Sequence, residues 1–334
     1  MYICLVALIL PALTAYGFKI PIGKVPSKSK PHNFKILGKD LAVWWNKNQW
    51  SAIDDMCLHR QASLSKGVIS KTGNLKCGYH GWEYDKCGKC TYMPSTNTLL
   101  SLNVENFQID ERDGILWLTD PDKFDTNYLQ ERILENYMLT DWFQETIPLP
   151  FDLWIENSMD SLHFNHVHHN TPPPVNRYDS IPVVTSNLSH VYWYNESGFS
   201  IQANHRANYT FLAPYTIFFT VDEIPVIVHI VPIDNESTLF TSNLLLPKSD
   251  SKTKNFFTML SYKLSKIFIK LVGGKIFEQD KEQILGQMKH IQKRGKKYRT
   301  GYLVDKPILL FNRWLEEFNI TTDYEVNFSI IREK

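Results

Sequence analysis

The chain has 334 residues, 43% of them hydrophobic and 13% aromatic, which suffices for two domains with separate cores and excludes a disordered polypeptide. Its formal net charge of +1 gives no electrostatic basis for a nucleic-acid partner. Four of its five cysteines fall within residues 57–90, too few and too clustered for a disulfide-stapled secreted domain, so metal or redox use in a reducing compartment is expected.

Residues 1–17, "MYICLVALILPALTAYG", are almost wholly apolar. They contain Pro11, fall short of the about 20 residues of a spanning helix, and lack the basic start of a secretory signal. The stretch is read either as a membrane-associating leader or as the first element of the folded chain.

Residues 33–118 predict short strands. "FKILG", "LAVWW" and "WSAID" are β-rich runs broken by Gly-Lys-Asp and Asn-Lys-Asn, and "GILWLTD" at 114–120 closes the block. The polar linker "DPDKFD" follows, which divides the chain into residues 18–125 and 126–334.

Within the first block, "CLHRQASLSKGVISKTGNLKCGYHGW" at 57–82 holds Cys57-Leu-His59 and Cys77-Gly-Tyr-His80. Common zinc sites pair Cys with Cys and His with His. Here each segment offers one of each. That mixture suits a [2Fe–2S] centre in which two imidazoles hold one iron and two thiolates the other, the Rieske arrangement. Cys57, His59, Cys77 and His80 are the predicted cluster ligands, and Gly78 and Gly81 let backbone approach the sulfides. Cys87 and Cys90, in "DKCGKC", are read as bystanders at a turn in preference to a redox pair.

The apolar spacing of Leu153, Ile155, Met159 and Leu162 predicts a helix over 151–169, "FDLWIENSMDSLHFNHVHH", ending before "NTPPP". Asn157, Asp160, His163 and His166 recur at i+3 and share a face. His168 lies about 140° round from His163, so both meet one metal only if the helix ends or distorts between them. Two histidines and a carboxylate form the facial triad of non-haem Fe(II) oxygenases. For the carboxylate, "KIFEQDKEQILGQMKHIQ" at 275–292 offers Glu278, Asp280 and Glu282 on one predicted helix, with Asp305 and Asp323 as further candidates; spacing does not select among them.

Strands are predicted over 180–247, and helices over 253–296 and 307–318. Residues 256–275, "FFTMLSYKLSKIFIKLVGGK", interleave apolar residues and lysines. Such a stripe either lies in a membrane interface or packs into a core with its lysines solvated.

With both constellations in place, the chain resembles the Rieske non-haem iron oxygenases, and more narrowly the group of pheophorbide a oxygenase and chlorophyllide a oxygenase. The resemblance runs from about Phe34 to about Phe318 and rests on "KILGKDLAVW", "CLHRQASLSKGVI", "GNLKCGYHGWEYDKCGKC", "ENSMDSLHFNHVHH", "NRYD", "EQDKEQILGQ" and "FNRWLEEF". It implies an α+β chain: an N-terminal all-β Rieske domain followed by a helix-grip (START-like) α+β catalytic domain. Among the site residues, it implies Cys57, His59, Cys77 and His80 on the cluster, and His163, His168 and Asp280, not His166, on a mononuclear Fe(II). Asp160 would bridge an iron histidine and a cluster histidine, with Asn157 close to the iron.

The resemblance also implies O2 as co-substrate, a ferredoxin-like electron donor and a head-to-tail homotrimer. The implied substrate is an apolar ring compound, first a chlorophyll-derived tetrapyrrole such as pheophorbide a, alternatively a sterol or another ring. An electron-transfer protein without oxygenase activity is the second functional expectation. "HFNHVHH" and "NTPPPVNRYD" depart from the family pattern around the iron histidines, which bears on pocket shape. The anchor and Cys-x-x-Cys that plant members carry after "FNRWLEEF" have no counterpart here, so plastid targeting is not implied.

Overall fold

The computed structural model describes residues 19–94, 96, 99–119, 134–160, 163, 167–168, 190–195, 197–204, 207–221, 224–248, 274–295 and 305–317. The apolar leader, the boundary near residue 125, His166, the prolines after His169, Asp323 and the lysine-bearing stripe up to residue 273 lie outside these residues.

The first half is all β. Its strands are β1 (Ile20–Lys24), β2 (His32–Ile36), β3 (Lys39–Trp45), β4 (Trp50–Asp54), β5 (Val68–Ile69), β6 (Leu75–Lys76), β7 (Glu83–Tyr84), β8 (Cys90–Tyr92), β9 (Asn106–Arg112) and β10 (Ile115–Thr119). Six form an antiparallel sheet in the order β1-β10-β9-β4-β3-β2, and the four short strands form a second, β5-β6-β7-β8. Strand β3 explains why one run of apolar residues serves both. Successive side chains point to opposite faces, so Leu41 and Val43 enter the large core while Ala42 and Trp44 enter the core that also holds Cys57, Leu64, Cys77 and Tyr84.

Two tight hairpins tie this half to the rest. The β2–β3 turn puts Leu37 and Gly38 at φ 51° and 71°, and the β9–β10 turn puts Asp113 and Gly114 at 55° and 79°. Positive φ at both central residues suits the right-handed strand twist. A leucine rarely adopts that conformation; here the Leu37 and Gly38 amides donate to Pro232 O at 2.9 Å and Ile233 O at 2.7 Å. In the second turn, Asp113 O accepts from Trp142 Nε1 at 2.6 Å.

The second half runs β11 (Tyr137–Leu139), β12 (Phe143–Ile147), α1 (Phe151–Met159), β13 (His190–Asn195), β14 (Gly198–Asn204), β15 (Ala207–Leu212), β16 (Thr216–Val221), β17 (Ile224–Pro232), β18 (Thr238–Pro247), α2 (Gly274–Arg294) and α3 (Lys306–Glu317). The strands pair as β11-β18-β17-β16-β15-β14-β13, with β12 also on β18. All pairs are antiparallel. The helices gather on this sheet through aromatic side chains. Phe211 of β15 meets Phe311 and Trp314 of α3 at 5.3 and 5.2 Å between ring centroids. Trp154 of α1 meets Phe240 of β18 at 5.6 Å and Phe277 of α2 at 5.1 Å. A buried hydrogen bond from Asn312 Nδ2 to Glu156 Oε1, 2.9 Å, joins α3 to α1.

The architecture is the expected α+β, a β half followed by a mixed half, and α3 falls where a helix was expected. The helix expected over 151–169 is shorter. It stops at Met159, and Asp160 is extended at φ −90°, ψ 101°. Asn157, Ser158 and Asp160 favour caps over helix interiors, and Ser158 Oγ already donates to Trp154 O at 2.9 Å. Helical backbone returns at His163 and Val167. Asn157, Asp160 and His163 therefore do not share one continuous helix face: the helix breaks at Asp160, ahead of both histidines, and residues 164–166 between them lie outside the described residues.

Candidate metal centres

The two Cys-His segments fold as two copies of one loop. In the first, Cys57 N–H donates to Ala62 O at 2.9 Å and Gln61 N–H returns to Cys57 O at 2.8 Å. In the second, Cys77 N–H donates to Trp82 O at 2.8 Å and Gly81 N–H returns to Cys77 O at 3.1 Å. Each loop turns through one left-handed residue, Gln61 at φ 55° and Gly81 at φ 76°. Glycine fits such a site without strain. Gly67 has a different reason: a Cβ there would stand 2.0 Å from Lys76 O, so only glycine lets the chain pass beside β6.

This geometry buries the thiols and exposes the imidazoles. Cys57 and Cys77 are 2% and 3% exposed, whereas His59 and His80 lie at the surface. The two rings sit 4.5 Å apart at 75°, and His59 stacks on Trp82 at 4.9 Å. Burial pushes the Cys57 thiol up from its ordinary pKa. Burial, together with Cys57, likewise raises the Tyr84 hydroxyl. Tyr84 therefore stays protonated. It accepts from Leu58 N–H at 3.2 Å and lies 3.3 Å from Cys57 Sγ, to which it donates when that sulfur is a thiolate. Two buried sulfurs and two neighbouring surface imidazoles fit the donor set of a Rieske cluster, whose iron holds the sulfurs as thiolates.

Cys90 belongs to the same core, buried with Cys57, Cys77 and Tyr84, while Cys87 is exposed. Neither is in a disulfide. Asp85 Oδ1 shapes their turn by accepting from the amides of Cys87 and Lys89 at 2.9 and 3.0 Å.

The second centre is assembled across the fold. His163 and His168 follow α1, and Asp280 projects from α2. One ligand atom of each lies within 4.8 Å of the others. Asp280 Oδ1 stands 3.4 Å from His163 Nε2 and 3.2 Å from His168 Nε2. Ligands bonded at about 2.1 Å and set at right angles are about 3 Å apart, so the spacing fits one metal ion between them. Phe277, one turn before Asp280, sets the position of α2 through its contacts with Trp154 and Phe240.

The site is buried: His168 is 0% exposed and Asp280 8%. Burial alone would lower the His163 pKa, but its hydrogen bond to Asp280 and the charges of Asp280 and Asp160 hold it above its ordinary value. Burial would raise Asp280, yet the two histidines hold it below the usual carboxylate range. The group thus concentrates negative charge on Asp280 against two imidazoles, as a divalent cation requires.

Of the three acids expected on α2, the structure brings Asp280 to the histidines. Glu278 is exposed and paired with Lys281 at 3.3 Å, and Glu282 is exposed. Asp305 stands at the start of α3, outside the group. Asn157 and Asp160 are half-buried at the end of α1. Asp160 meets His163 chiefly through its backbone: its carbonyl lies 2.5 Å from His163 Nδ1, and its Oδ1 accepts from His163 N–H at 3.3 Å. Two neighbours were not singled out from sequence, Tyr84 and Gln279. Gln279 Oε1 lies 3.1 Å from His168 Nδ1. Nothing in their spacing marks them, because a buried Tyr and a helical Gln occur in any core.

Comparison with known proteins agrees with this geometry. Residues 20–108 match the Rieske [2Fe-2S] domain family. Among curated relatives, the chain is 34% identical over 173 residues to the chloroplastic Protochlorophyllide-dependent translocon component 52 of Arabidopsis thaliana, covering 45% of this chain and 31% of the relative. It is 46% identical over 70 residues to pheophorbide a oxygenase of the same plant, covering 20% of this chain and 13% of the relative. Methylxanthine N1-demethylase NdmA of Pseudomonas putida matches at 26% identity over 320 residues, 87% of this chain and 84% of that one. Its solved structure superposes with a TM-score of 0.64 at 22% identity, covering 92% and 91% of the two chains. The match spans about a third or less of the length of the first two relatives.

Residues 20–108 are thus a Rieske [2Fe–2S] domain, joined to an α+β half of the kind found in Rieske oxygenases. The chain resembles that family, chlorophyll-related oxygenases and demethylases included.

Proposed function

We propose that the chain is a Rieske-type oxygenase that uses O2 and electrons from a ferredoxin-like donor to oxygenate an apolar ring substrate. The observation that carries this reading is the buried His163, His168 and Asp280 group in the same chain as a Rieske domain. A Rieske domain serving electron transfer alone needs no such triad.

In this reading Cys57, His59, Cys77 and His80 hold the cluster, and His163, His168 and Asp280 hold the mononuclear iron. When bound, the cluster stores one electron and the iron activates O2 beside the substrate. The protein's own part is orientation and exclusion. Each histidine presents Nε2 to the centre, Asp280 supplies the charge, and burial keeps water from the reacting molecules. Asp160 is the bridge toward a cluster histidine, its carboxylate coupling ring position to proton state, and Asn157 lies beside the iron. The working unit is a homotrimer in which the cluster of one copy serves the iron of the next.

For the substrate, the similarity to pheophorbide a oxygenase supports a chlorophyll-derived tetrapyrrole. A second reading, a methylated small ring, is supported by the nearly full-length similarity to an N-demethylase. Turnover of the purified trimer under labelled O2 with a ferredoxin system separates them. A tetrapyrrole substrate gives a product carrying labelled oxygen; a methylated ring gives formaldehyde. Iron content tests the class: about three irons per chain fit the oxygenase, and about two leave only the cluster. Asp160→Asn should keep both centres and nearly abolish product; parental turnover by that variant would remove the bridging role.

A further inference from the structure

We infer that Gln279 is a positioning residue for the mononuclear iron, fixing the tautomer and orientation of His168 from the opposite edge of its ring. The inference rests on the triad reading above and deepens it. Asp280 and Gln279 are neighbours on α2, and between them they bracket both ring nitrogens of His168. Asp280 Oδ1 faces Nε2 at 3.2 Å, and Gln279 Oε1 faces Nδ1 at 3.1 Å. Adjacent helical residues point about 100° apart, which lets one helix reach around one ring.

The chemistry follows from the two nitrogens being inequivalent. An imidazole that gives Nε2 to a metal carries its proton on Nδ1, and the acceptor at Nδ1 decides ring angle and ligand basicity. For His168, fully buried, that acceptor is the Gln279 carboxamide oxygen. For His163 it is the Asp160 main-chain carbonyl at 2.5 Å. The two ligands are therefore oriented by different kinds of group. No side-chain substitution deletes the Asp160 carbonyl, so His163 is an internal control for any change at Gln279. Glu278 and Glu282 on the same helix are exposed and cannot take over the role.

The role makes an ordered set of expectations. Gln279→Leu keeps approximate volume and removes the acceptor. Gln279→Glu keeps an acceptor, now charged, and cannot donate. The test uses full-length protein with its cluster assembled, the mononuclear iron removed by chelation and Co(II) supplied in its place. Optical titration reads affinity, and proton spectra of the Co(II) protein read the exchangeable, hyperfine-shifted Nδ1–H signals.

Wild-type protein should take up one Co(II) per chain and show two such signals. Gln279→Leu should bind roughly 10- to 100-fold more weakly, the range lost with outer-shell partners. It should also lose or broaden one signal while the His163 signal stays. Gln279→Glu should bind at least as tightly as wild type and keep both signals. The Co(II)-free melting temperature should be the same in all three, and Gln279→Ala replaces the leucine variant if that one does not fold.

Leucine-variant affinity equal to wild type would overturn the inference. So would a glutamate variant as weak as the leucine one, because Gln279 would then be a donor. A fall in metal-free stability matching the fall in affinity would make the residue structural. Wild-type protein that takes up no Co(II) would instead sink the triad reading itself.

Discussion

The two candidate centres of this chain are built on opposite plans. The candidate cluster site draws its four side chains from residues 57–80, on two copies of the same hydrogen-bonded loop, one following β4 and one between the paired strands β6 and β7. The triad joins His163 and His168 to a helix more than a hundred residues later; the His168–Gln279 bond alone spans 111 positions. One site keeps its imidazoles at the surface. The other buries its ligands. The first site is built from local loops, whereas the triad exists only when α1 and α2 are packed together.

The sharpest way to break this contrast is to remove one centre and count the other. Asp280→Ala should take iron content from about three to about two per chain, abolish turnover, and leave the Rieske electron-spin signal intact. The loss is large because the Asp280 carboxylate stands within 3.4 Å of the Nε2 atoms of both histidines. A variant that kept its third iron, or lost the cluster signal as well, would show that the two centres are not independently built.

A smaller effect should follow from loosening the packing and leaving the ligands alone. Phe277 touches Trp154, Phe143 and Phe240, one turn ahead of Asp280. Phe277→Ala should cost roughly 3–5 kcal/mol of stability. By freeing α2 it should also weaken metal binding at the triad while the cluster stays full. Denaturant unfolding and Co(II) titration of one preparation check both, and unchanged metal affinity would mean that α2 is held by other contacts.

The same contrast explains what was legible beforehand. Cys57-x-His59 and Cys77-x-x-His80 announce their chemistry because the ligands are contiguous and their mixed pairing excludes the common zinc patterns. Strands β2, β3 and β4 follow from β-rich runs and from the breaks at Gly-Lys-Asp and Asn-Lys-Asn for the same local reason. His163 and His168 could be named as a pair, but their helix was drawn too long, since apolar spacing carried past the Ser158 and Asp160 side chains that end it. Asp280 could not be chosen over Glu278 and Glu282 by spacing. Burial chooses it, and burial depends on where Trp154 and Phe240 seat Phe277. Gln279 was silent altogether, because its role is defined only by the ring it faces.

The junction between the two halves carries a pH-dependent element. His229 of β17 is fully buried between Trp117 of β10 and Trp142, each 5.1 Å away, and its Nδ1 lies 2.9 Å from Thr216 Oγ1. Burial lowers its pKa from 6.5 to about 3. The unfolded chain therefore binds the extra proton between those values. Stability from this residue is fully present above about pH 6.5 and is lost as pH falls toward about 3, at no more than about 1.4 kcal/mol per pH unit. His229→Gln should flatten the slope in that window, read from urea midpoints at stepped pH. An unchanged slope would assign the acid sensitivity to other groups.

The smallest effect should test whether the local site is tuned by its own core. Tyr84 closes that core, and its hydroxyl bridges Leu58 N–H and Cys57 Sγ. A donor aimed at a cluster sulfur stabilises the more electron-rich, reduced state. Tyr84→Phe removes that donor while the ring still fills its place among Cys57, Cys77 and Cys90. Losing about 1 kcal/mol of differential stabilisation should lower the one-electron potential by roughly 40 mV. The triad should not respond, since no ligand there contacts Tyr84. Voltammetry of the iron–sulfur couple gives the first quantity and Co(II) affinity the second. A potential that did not move would place the tuning in the backbone of the two loops, whose amides no side-chain substitution removes.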